Sequence, residues 1–524
     1  MPQFPKIQLK ILTTKQLAGR LVIGRLPGLI LDDEHKQALS SGILGGITLF
    51  KENAQDLKQL CTLTKDIVDA CMHSPVLTVD QEGGAVQRFD HVLSPLPSPM
   101  ALAAINDSNC TKEITSISCR QLKTLGFNLL LAPTLDLLTN PLNPVIATRA
   151  FSSETALTSS MGRQIIEHIE ASTLVACPKH FPGHGSTSQD SHLELAIVDK
   201  SLEELEAYDL EPFAANIKAM SSILIGHIWL PQLEKQQRPA TLSPLVVSEI
   251  LREKLKFDGL AISDDMTMHA ITKAYGLGEA CVMAIEAGVD LILVCGTYSQ
   301  SQEAVQAIAQ AIESGRISTE RLNQSLARLD KLFYKTPDCL DPANQRALAD
   351  FASTIATDTA TSTKFSTSSA ALMKGSSEQL NLAGQALAVV VPQHPRYRLP
   401  LAEALAQEKL EVEEHRYSLN AGEEEIAELC ARLEKGRRTI LYVTFRSYIN
   451  SGQITLAEKL AKLSDAINLI HVAVDTPYDF LKMPESVGTS LATFDPSDQA
   501  MAGVAQIFVG KSRAKGKCPV NLSL

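Results

Sequence analysis

The chain has 524 residues, 45% of them hydrophobic and 20% charged, which is length for two or three domains with buried cores and excludes wholesale disorder or a fibre. Its 59 Asp and Glu against 48 Lys and Arg leave a net charge of −11, which argues against nucleic acid or an anionic membrane as the main partner. Aromatic residues make up only 5%, with Trp229 the single tryptophan, so a bound sugar or base must be gripped mostly by polar contacts.

Read in chain order, the first residues, Met1 to Gln8, lack an apolar signal core. No run of about 18 apolar residues follows, so a cytoplasmic protein is expected. Eight short β-branched or Leu-rich runs come next: Leu21–Gly24, Gly46–Phe50, Val76–Asp80, Leu129–Pro133, Leu174–Pro178, Ile223–His227, Leu260–Asp264 and Asp290–Cys295. Amphipathic stretches such as Ser201–Met220 and Leu242–Leu255 lie between them. The alternation predicts an α/β fold whose N-terminal part is a TIM-like (β/α)8 barrel, closing after the helical stretch Thr319–Tyr334. An open doubly wound sheet is the alternative. A barrel keeps its chemistry at the C-terminal ends of its strands. Asp80, Lys179, His180, His227 and Asp264 all stand at such ends.

Beyond the barrel (residues 1–337), residues 338–377 are rich in Ala, Ser and Thr and read as a partly helical linker. Residues 378–524 show a second pattern, with strands expected at Leu387–Val391, Leu410–Glu413, Arg438–Phe445, Ile467–Val474 and Ile507–Gly510. Helix-like Glu423–Lys435 separates two of them. This predicts a smaller α/β sandwich domain. It holds no GxGxxG or GxxxxGK[ST] stretch, so a nucleotide cofactor is not expected. The basic segment Lys511–Lys517 reads as a solvated tail. The ten cysteines are scattered without CxxC spacing, so no metal is expected and the thiols read as buried small hydrophobes in a reducing compartment.

Four stretches carry candidate chemistry. The densest is Lys179-His-Phe-Pro-Gly-His-Gly-Ser-Thr-Ser-Gln-Asp-Ser-His192, a loop by its Pro, Gly and small polar residues. Its three histidines resemble a metal set, but their spacing has no helical logic. Asp190 beside His192 is the better reading: a carboxylate fixes an imidazole's tautomer and makes it a general acid/base. A purely loop-tethering role is the third reading. In Ser263-Asp264-Asp265 a carboxylate at a strand end serves as nucleophile, ligand or helix cap, and one aspartate is expected to point inward while the other caps. In Asp80-Gln-Glu-Gly-Gly the glycine pair allows a tight turn that leaves Asp80, with Gln81 beside it, facing a polar ligand. Asn143-Pro-Val-Ile-Ala-Thr-Arg149 is a loop that aims a guanidinium fork into the mouth.

Together with Arg238-Pro-Ala-Thr-Leu-Ser243, these stretches resemble glycoside hydrolase family 3, over residues of about 10 to 335. The resemblance implies a retaining, exo-acting β-N-acetylglucosaminidase that needs no cofactor and takes small glycans or muropeptides. It casts Asp264 as nucleophile, His192 as acid/base and Asp190 as its partner. Asp80, Arg149, Lys179 and His180 would bind hydroxyls of the terminal sugar, with His227 a further subsite contact. Retaining glycosidases ordinarily pair two carboxylates; here an imidazole takes one place, and its reference pKa of about 6.5 suits a group that donates and then recovers a proton. The sequence departs from the family pattern at Ala85, Thr148, Ser186 and Glu194, none of them a proposed catalytic residue. Competing readings are a β-glucosidase, a phosphorylase, a sugar-binding pseudoenzyme, and a Schiff-base aldolase using Lys179.

Overall fold

A computed structural model of the chain describes residues 12–188, 195–434, 439–463 and 467–523. All eight expected N-terminal strands form: β1 (Val22–Arg25), β2 (Gly46–Leu49), β3 (Val76–Val79), β4 (Leu129–Leu130), β5 (Val175–Ala176), β6 (Ser222–Ile225), β7 (Leu260–Asp265) and β8 (Leu291–Leu293). They pair in the order β5–β4–β3–β2–β1–β8–β7–β6, with every pairing parallel. The two ends of that row then meet, since Leu224 N donates to Pro178 O and Phe181 N to Leu224 O, both at 2.9 Å. The ring is therefore a closed barrel, and the open-sheet alternative is excluded.

Strand residues buried on both faces read as continuous apolar runs, which is why the runs were visible in the sequence. The surrounding helices start at polar caps. Asp56, Asp107 and Ser318 each accept from the backbone N–H three residues on, and Ser201 and Thr297 form reciprocal capping boxes. Under the β5–β6 closure, Phe181 and Phe213 are fully buried and meet edge to face, with ring centroids 5.5 Å apart.

The second domain is a six-stranded sheet: β9 (Ala371–Lys374), β10 (Ala386–Gln393), β11 (Glu411–Ser418), β12 (Thr439–Thr444), β13 (Asn468–Ala473) and β14 (Thr489–Ala492). Its order is β9–β14–β13–β12–β10–β11, parallel except for the antiparallel β9–β14 pair. Alternate residues of β10 and β12 feed separate cores: Leu387, Val389, Val391, Leu441 and Val443 on one face, and Ala388, Val390, Ile440 and Tyr442 on the other. The expectation of a strand at Ile507–Gly510 is corrected. That stretch ends the helix Asp498–Phe508, whose buried Ala500, Met501, Val504, Ala505 and Phe508 recur at helical spacing behind the cap Ser497. Strands β9 (Ala-Leu-Met-Lys) and β14 (Thr-Ser-Leu-Ala), four residues each, were not among the expected strands, their apolar runs being only two or three residues long.

Within residues 338–377 lies the helix Gln345–Ser369. Its Thr and Ser hydroxyls bond back to carbonyls four residues earlier, as Thr354 does to Asp350 and Thr363 to Thr359. It packs along the barrel helix Ser108–Thr124, where Asp358 accepts from Arg120 and Gln121, and along Asp498–Phe508. The basic residues of Lys511–Lys517 are exposed to solvent as expected, but the backbone of the stretch is anchored. Gly516 N donates to Ala370 O (3.0 Å) and Lys517 N to Ala104 O (2.9 Å), which leads Cys518 and Val520 into an apolar cluster between the two domains. No helix among the described residues is long and apolar enough to cross a membrane.

Replacing Phe213 by Ala removes a fully buried ring from the barrel's closure and is expected to cost about 3–5 kcal/mol in urea unfolding. Tyr208→Ala, at a position 55% exposed, should stay within about 0.5 kcal/mol of the parent.

Candidate active site

The polar residues at the strand ends converge on one mouth at the C-terminal face. Asp80 follows β3, and the chain continues into a short strand, Gln81–Gly83. Gly83 and Gly84 turn it back with φ of +101° and +56°. A Cβ on Gly83 would lie 2.2 Å from Pro97 O, so the turn needs glycine for space as well as for conformation. Two-residue periodicity puts Asp80 and Glu82 on the same side.

Lys179, at the end of the β5 segment, holds both carboxylates. Its Nζ is 2.6 Å from Asp80 Oδ1 and 2.6 Å from Glu82 Oε1. Arg149 forks onto Glu82, Nη2 to Oε1 at 2.8 Å and Nε to Oε2 at 2.9 Å, and Thr134 Oγ1 donates to Oε2 at 3.0 Å. Arg88 Nη2 donates to Asp80 Oδ2 (2.9 Å), and its guanidinium lies over Phe50, which Arg25 also covers. Burial by itself would raise the Asp80 carboxyl, but Lys179 and Arg88 outweigh it and hold it well below the carboxylate range. Glu82, with no side-chain exposure, is likewise raised by burial but pulled down to about 2 by Arg149 and Lys179.

His180 is oriented from both sides. Arg149 Nη2 donates to its Nε2 (3.2 Å), so Nδ1 bears the proton and donates to Asp136 Oδ2 at 2.6 Å. Asp136 is fully buried and also accepts from the backbone N–H of His184 (2.6 Å). His184 packs edge-on to His180, and its own pKa falls to about 4, through burial first and the neighbouring His180 second. Asn143 Nδ2 donates to His184 O (2.8 Å) and Thr187 Oγ1 (3.1 Å), which ties the Arg149 loop to the start of the His-rich loop.

Across the mouth, β7 ends at Asp264 and Asp265. Asp265 takes the capping role: its Oδ1 accepts from Thr267 N, Thr267 Oγ1 and Cys295 N at 2.8–2.9 Å. Asp264 Oδ1 accepts from Asp265 N (2.9 Å). Burial pushes the Cys177 thiol up to about 12, with the Asp80 and Asp264 charges adding to the rise. His227 is fully buried, with Nδ1 on Thr241 Oγ1 (2.8 Å) and Nε2 on the carbonyl of Asp265 (2.9 Å). Both its ring nitrogens are thus engaged by the protein, Nε2 at the β7 end and Nδ1 on Thr241, whose hydroxyl bonds the carbonyls of Ile225 and Gly226 at the end of β6.

Asp80, Arg149, Lys179 and His180 therefore form one connected cluster, with Asp264 opposite. Asp190 and His192 lie outside the described residues. Their flanks are anchored: Thr187 is buried against Asn143, and Ala196–Ile197 pairs with Ile228–Trp229 just past His227. Sequence reasoning gave no role to Glu82, Arg88, Thr134 or Asp136. Glu82 stood two residues from Asp80 in the same motif, and Asp136 lay three residues past a predicted strand end, so both positions carried a signal.

Residues 12–332 match the model of the glycosyl hydrolase family 3 N terminal domain. The chain is 32% identical over 305 residues to a beta-hexosaminidase of Idiomarina loihiensis, covering 57% of this chain and 91% of that protein. Among solved structures, a glycoside hydrolase family 3 beta-N-acetylglucosaminidase from Paenibacillus sp. str. FPU-7 superposes with a TM-score of 0.86 at 30% identity, over 98% of this chain and 99% of that one. A beta-glucoside phosphorylase shares the fold alone, with a TM-score of 0.79 at 18% identity over 98% of this chain and 95% of that one.

Glu82→Gln leaves Lys179 and Arg149 short of a buried counter-charge and is expected to cost about 3 kcal/mol at pH 7. Because folding lowers the Glu82 pKa, its contribution is fully present above the unfolded value and is lost as pH falls towards about 2. Urea titrations should therefore find the gap between parent and variant constant down to pH of about 5 and narrowing below about 4.5.

Proposed function

The chain belongs to glycosyl hydrolase family 3, and on that premise we propose that it is an exo-acting, retaining β-N-acetylglucosaminidase. Its substrate would be a glycan or muropeptide ending in non-reducing N-acetylglucosamine, in particular the 1,6-anhydro-N-acetylmuramyl fragments of cell-wall turnover in the cytoplasm. The chemistry falls within residues 1–337. The observation that carries this reading is the buried cage of Asp80, Glu82, Lys179, Arg149 and His180 on one side of the barrel mouth with the Asp264 carboxylate on the other. Such a cage suits the hydroxyls of a single terminal sugar, and its reliance on charge rather than rings matches the aromatic-poor composition.

In the proposed mechanism the terminal sugar is seated with its hydroxyls on Asp80, Lys179, Arg149 and His180. Asp264 attacks C1 as the bond to the leaving oxygen breaks, and His192 passes its proton to that oxygen. Asp190 stabilises the imidazolium partner during the cycle. In the second step His192 takes a proton from water, the resulting hydroxide adds to C1, and Asp264 departs. Two inversions give net retention, and proton and electron pairs balance without a cofactor. Preorganised charges around the sugar do not need to reorient during either step, which lowers the barrier relative to water.

The test is hydrolysis of 4-nitrophenyl N-acetyl-β-glucosaminide and of the matching glucoside, with and without phosphate. The acetylated substrate should be preferred, with no dependence on phosphate. Asp264→Ala should lower kcat by at least about a thousandfold, since nucleophile removal costs 10³ or more in comparable enzymes. An undiminished rate in that variant sinks the mechanism. A preferred glucoside sinks the substrate assignment, and a phosphate requirement replaces hydrolysis by phosphorolysis.

A further inference from the structure

The second domain reaches the site through one loop. Arg149 is delivered by the segment 142–149, and its position follows that backbone closely. Its N–H donates to Ile146 O (2.9 Å) and its Nη1 to Val145 O (3.3 Å). Between them Ala147 sits at φ +43°, a left-handed conformation that a residue other than glycine keeps only where its surroundings enforce it.

On the barrel side Asn143 provides part of that enforcement, its Oδ1 accepting from Val145 N (2.9 Å) and Ile146 N (2.8 Å). The rest comes from the second sheet. Arg446, just past β12, donates from Nη1 to the carbonyl of Pro144 (3.2 Å) and from Nε to Asp475 Oδ2 (2.5 Å). Asp475, just past β13, has a side chain only 1% exposed, and its other oxygen lies 3.5 Å from Thr148 Oγ1. The pair thus grips the loop at both Pro144 and Thr148. Beneath the loop, Ile146 and Ala150 share an apolar cluster with Ala473, Ala492 and Phe494 of the second domain.

We infer that Arg446 and Asp475 are positioning residues of the barrel site, acting through the 144–148 backbone on Arg149 and giving the second domain a share in sugar binding. This rests on the sugar-binding reading of the site given above. A domain that is merely docked would need no charged pair aimed at this loop, since docking is supplied elsewhere. Asp358 of the helix Gln345–Ser369 already holds Arg120 on the barrel's outer wall.

The experiment is a double-mutant cycle on the full chain, read as kcat and KM for 4-nitrophenyl N-acetyl-β-glucosaminide, with urea midpoints measured in parallel. Arg446→Ala should raise KM about tenfold with a smaller change in kcat, and the same substitution in an Arg149→Ala background should add less than about twofold, the non-additivity expected of coupled residues. Arg446→Lys, whose ammonium still reaches Asp475, should recover most of the loss. Arg120→Ala should lower the urea midpoint and leave KM unchanged. Equal losses from Arg446→Ala in both backgrounds, or a matching KM rise in Arg120→Ala, overturn the inference. If Arg446→Ala does not fold, Arg446→Gln and Asp475→Asn carry the same cycle. A wild-type chain inactive on this substrate overturns the functional reading instead, and the cycle is then read by calorimetric binding of N-acetylglucosamine.

Discussion

One ammonium group, Lys179 Nζ, stands 2.6 Å from carboxylate oxygens of both Asp80 and Glu82 in a place where its side chain is 3% exposed. Charges so far from water persist only when every one of them is matched and hydrogen-bonded, because desolvation costs several kcal/mol per ion. Glu82 meets that condition with four contacts, from Lys179, both arms of Arg149 and Thr134. Asp80 meets it with Lys179 and Arg88. The network of charges therefore fixes where the ends of β3 and β5, Thr134 beyond β4 and the 142–149 loop must stand relative to one another. It dictates the shape of the mouth, and the apolar barrel beneath supplies the rigidity that keeps the charges in register.

The two rims of that mouth differ in kind. On the β3–β5 side the carboxylates are saturated with donors, so they are held as fixed anions whose partners retain donors of their own. On the β7 side the work of capping is done by Asp265, which takes Thr267 and Cys295, while His227 supports the backbone from below. Adjacent residues in a strand point to opposite faces. A pair of aspartates at a strand end can thus divide the labour, one building the turn and the other facing the ligand. The arrangement places the saturated charge cluster and Asp264 on opposite sides of the mouth.

What the sequence disclosed follows from the same physics. Parallel strands buried on both faces cannot avoid apolar runs, so all eight barrel strands were legible, and so were the charged residues at their ends. Counter-ions were not. Glu82 and Asp136 stood near strand ends, but a one-dimensional pattern does not say which carboxylate will meet which distant partner, Lys179 for Glu82 and His180 for Asp136. The segment at 507–510 failed for a different reason: a short apolar run fits a buried strand and the last turn of a helix equally well, and only the upstream cap at Ser497 separates them. Asp190 and His192 were legible as a motif, on a loop whose flanks are anchored at Thr187 and Ala196.

A brace is only as good as the element that carries it, and the carboxyl end of the second sheet's central strands is stiffened for that purpose. Asp479 accepts from Ser447 N (2.5 Å), Ser447 Oγ (2.9 Å) and Thr444 Oγ1 (2.6 Å), pinning the turn that presents Arg446 on both of its sides. His471 joins the same network, with one ring nitrogen on Thr444 Oγ1 and the other on Ser490 Oγ. Burial pushes the Asp479 carboxyl up to about 6, against the pull of those hydroxyl donors. In a parallel sheet the carboxyl ends of the strands are where polar groups collect and where ligands are met. Here β12 and β13 turn that end toward the barrel's loop. The charged pair at the interface thereby joins two separately packed cores into one site.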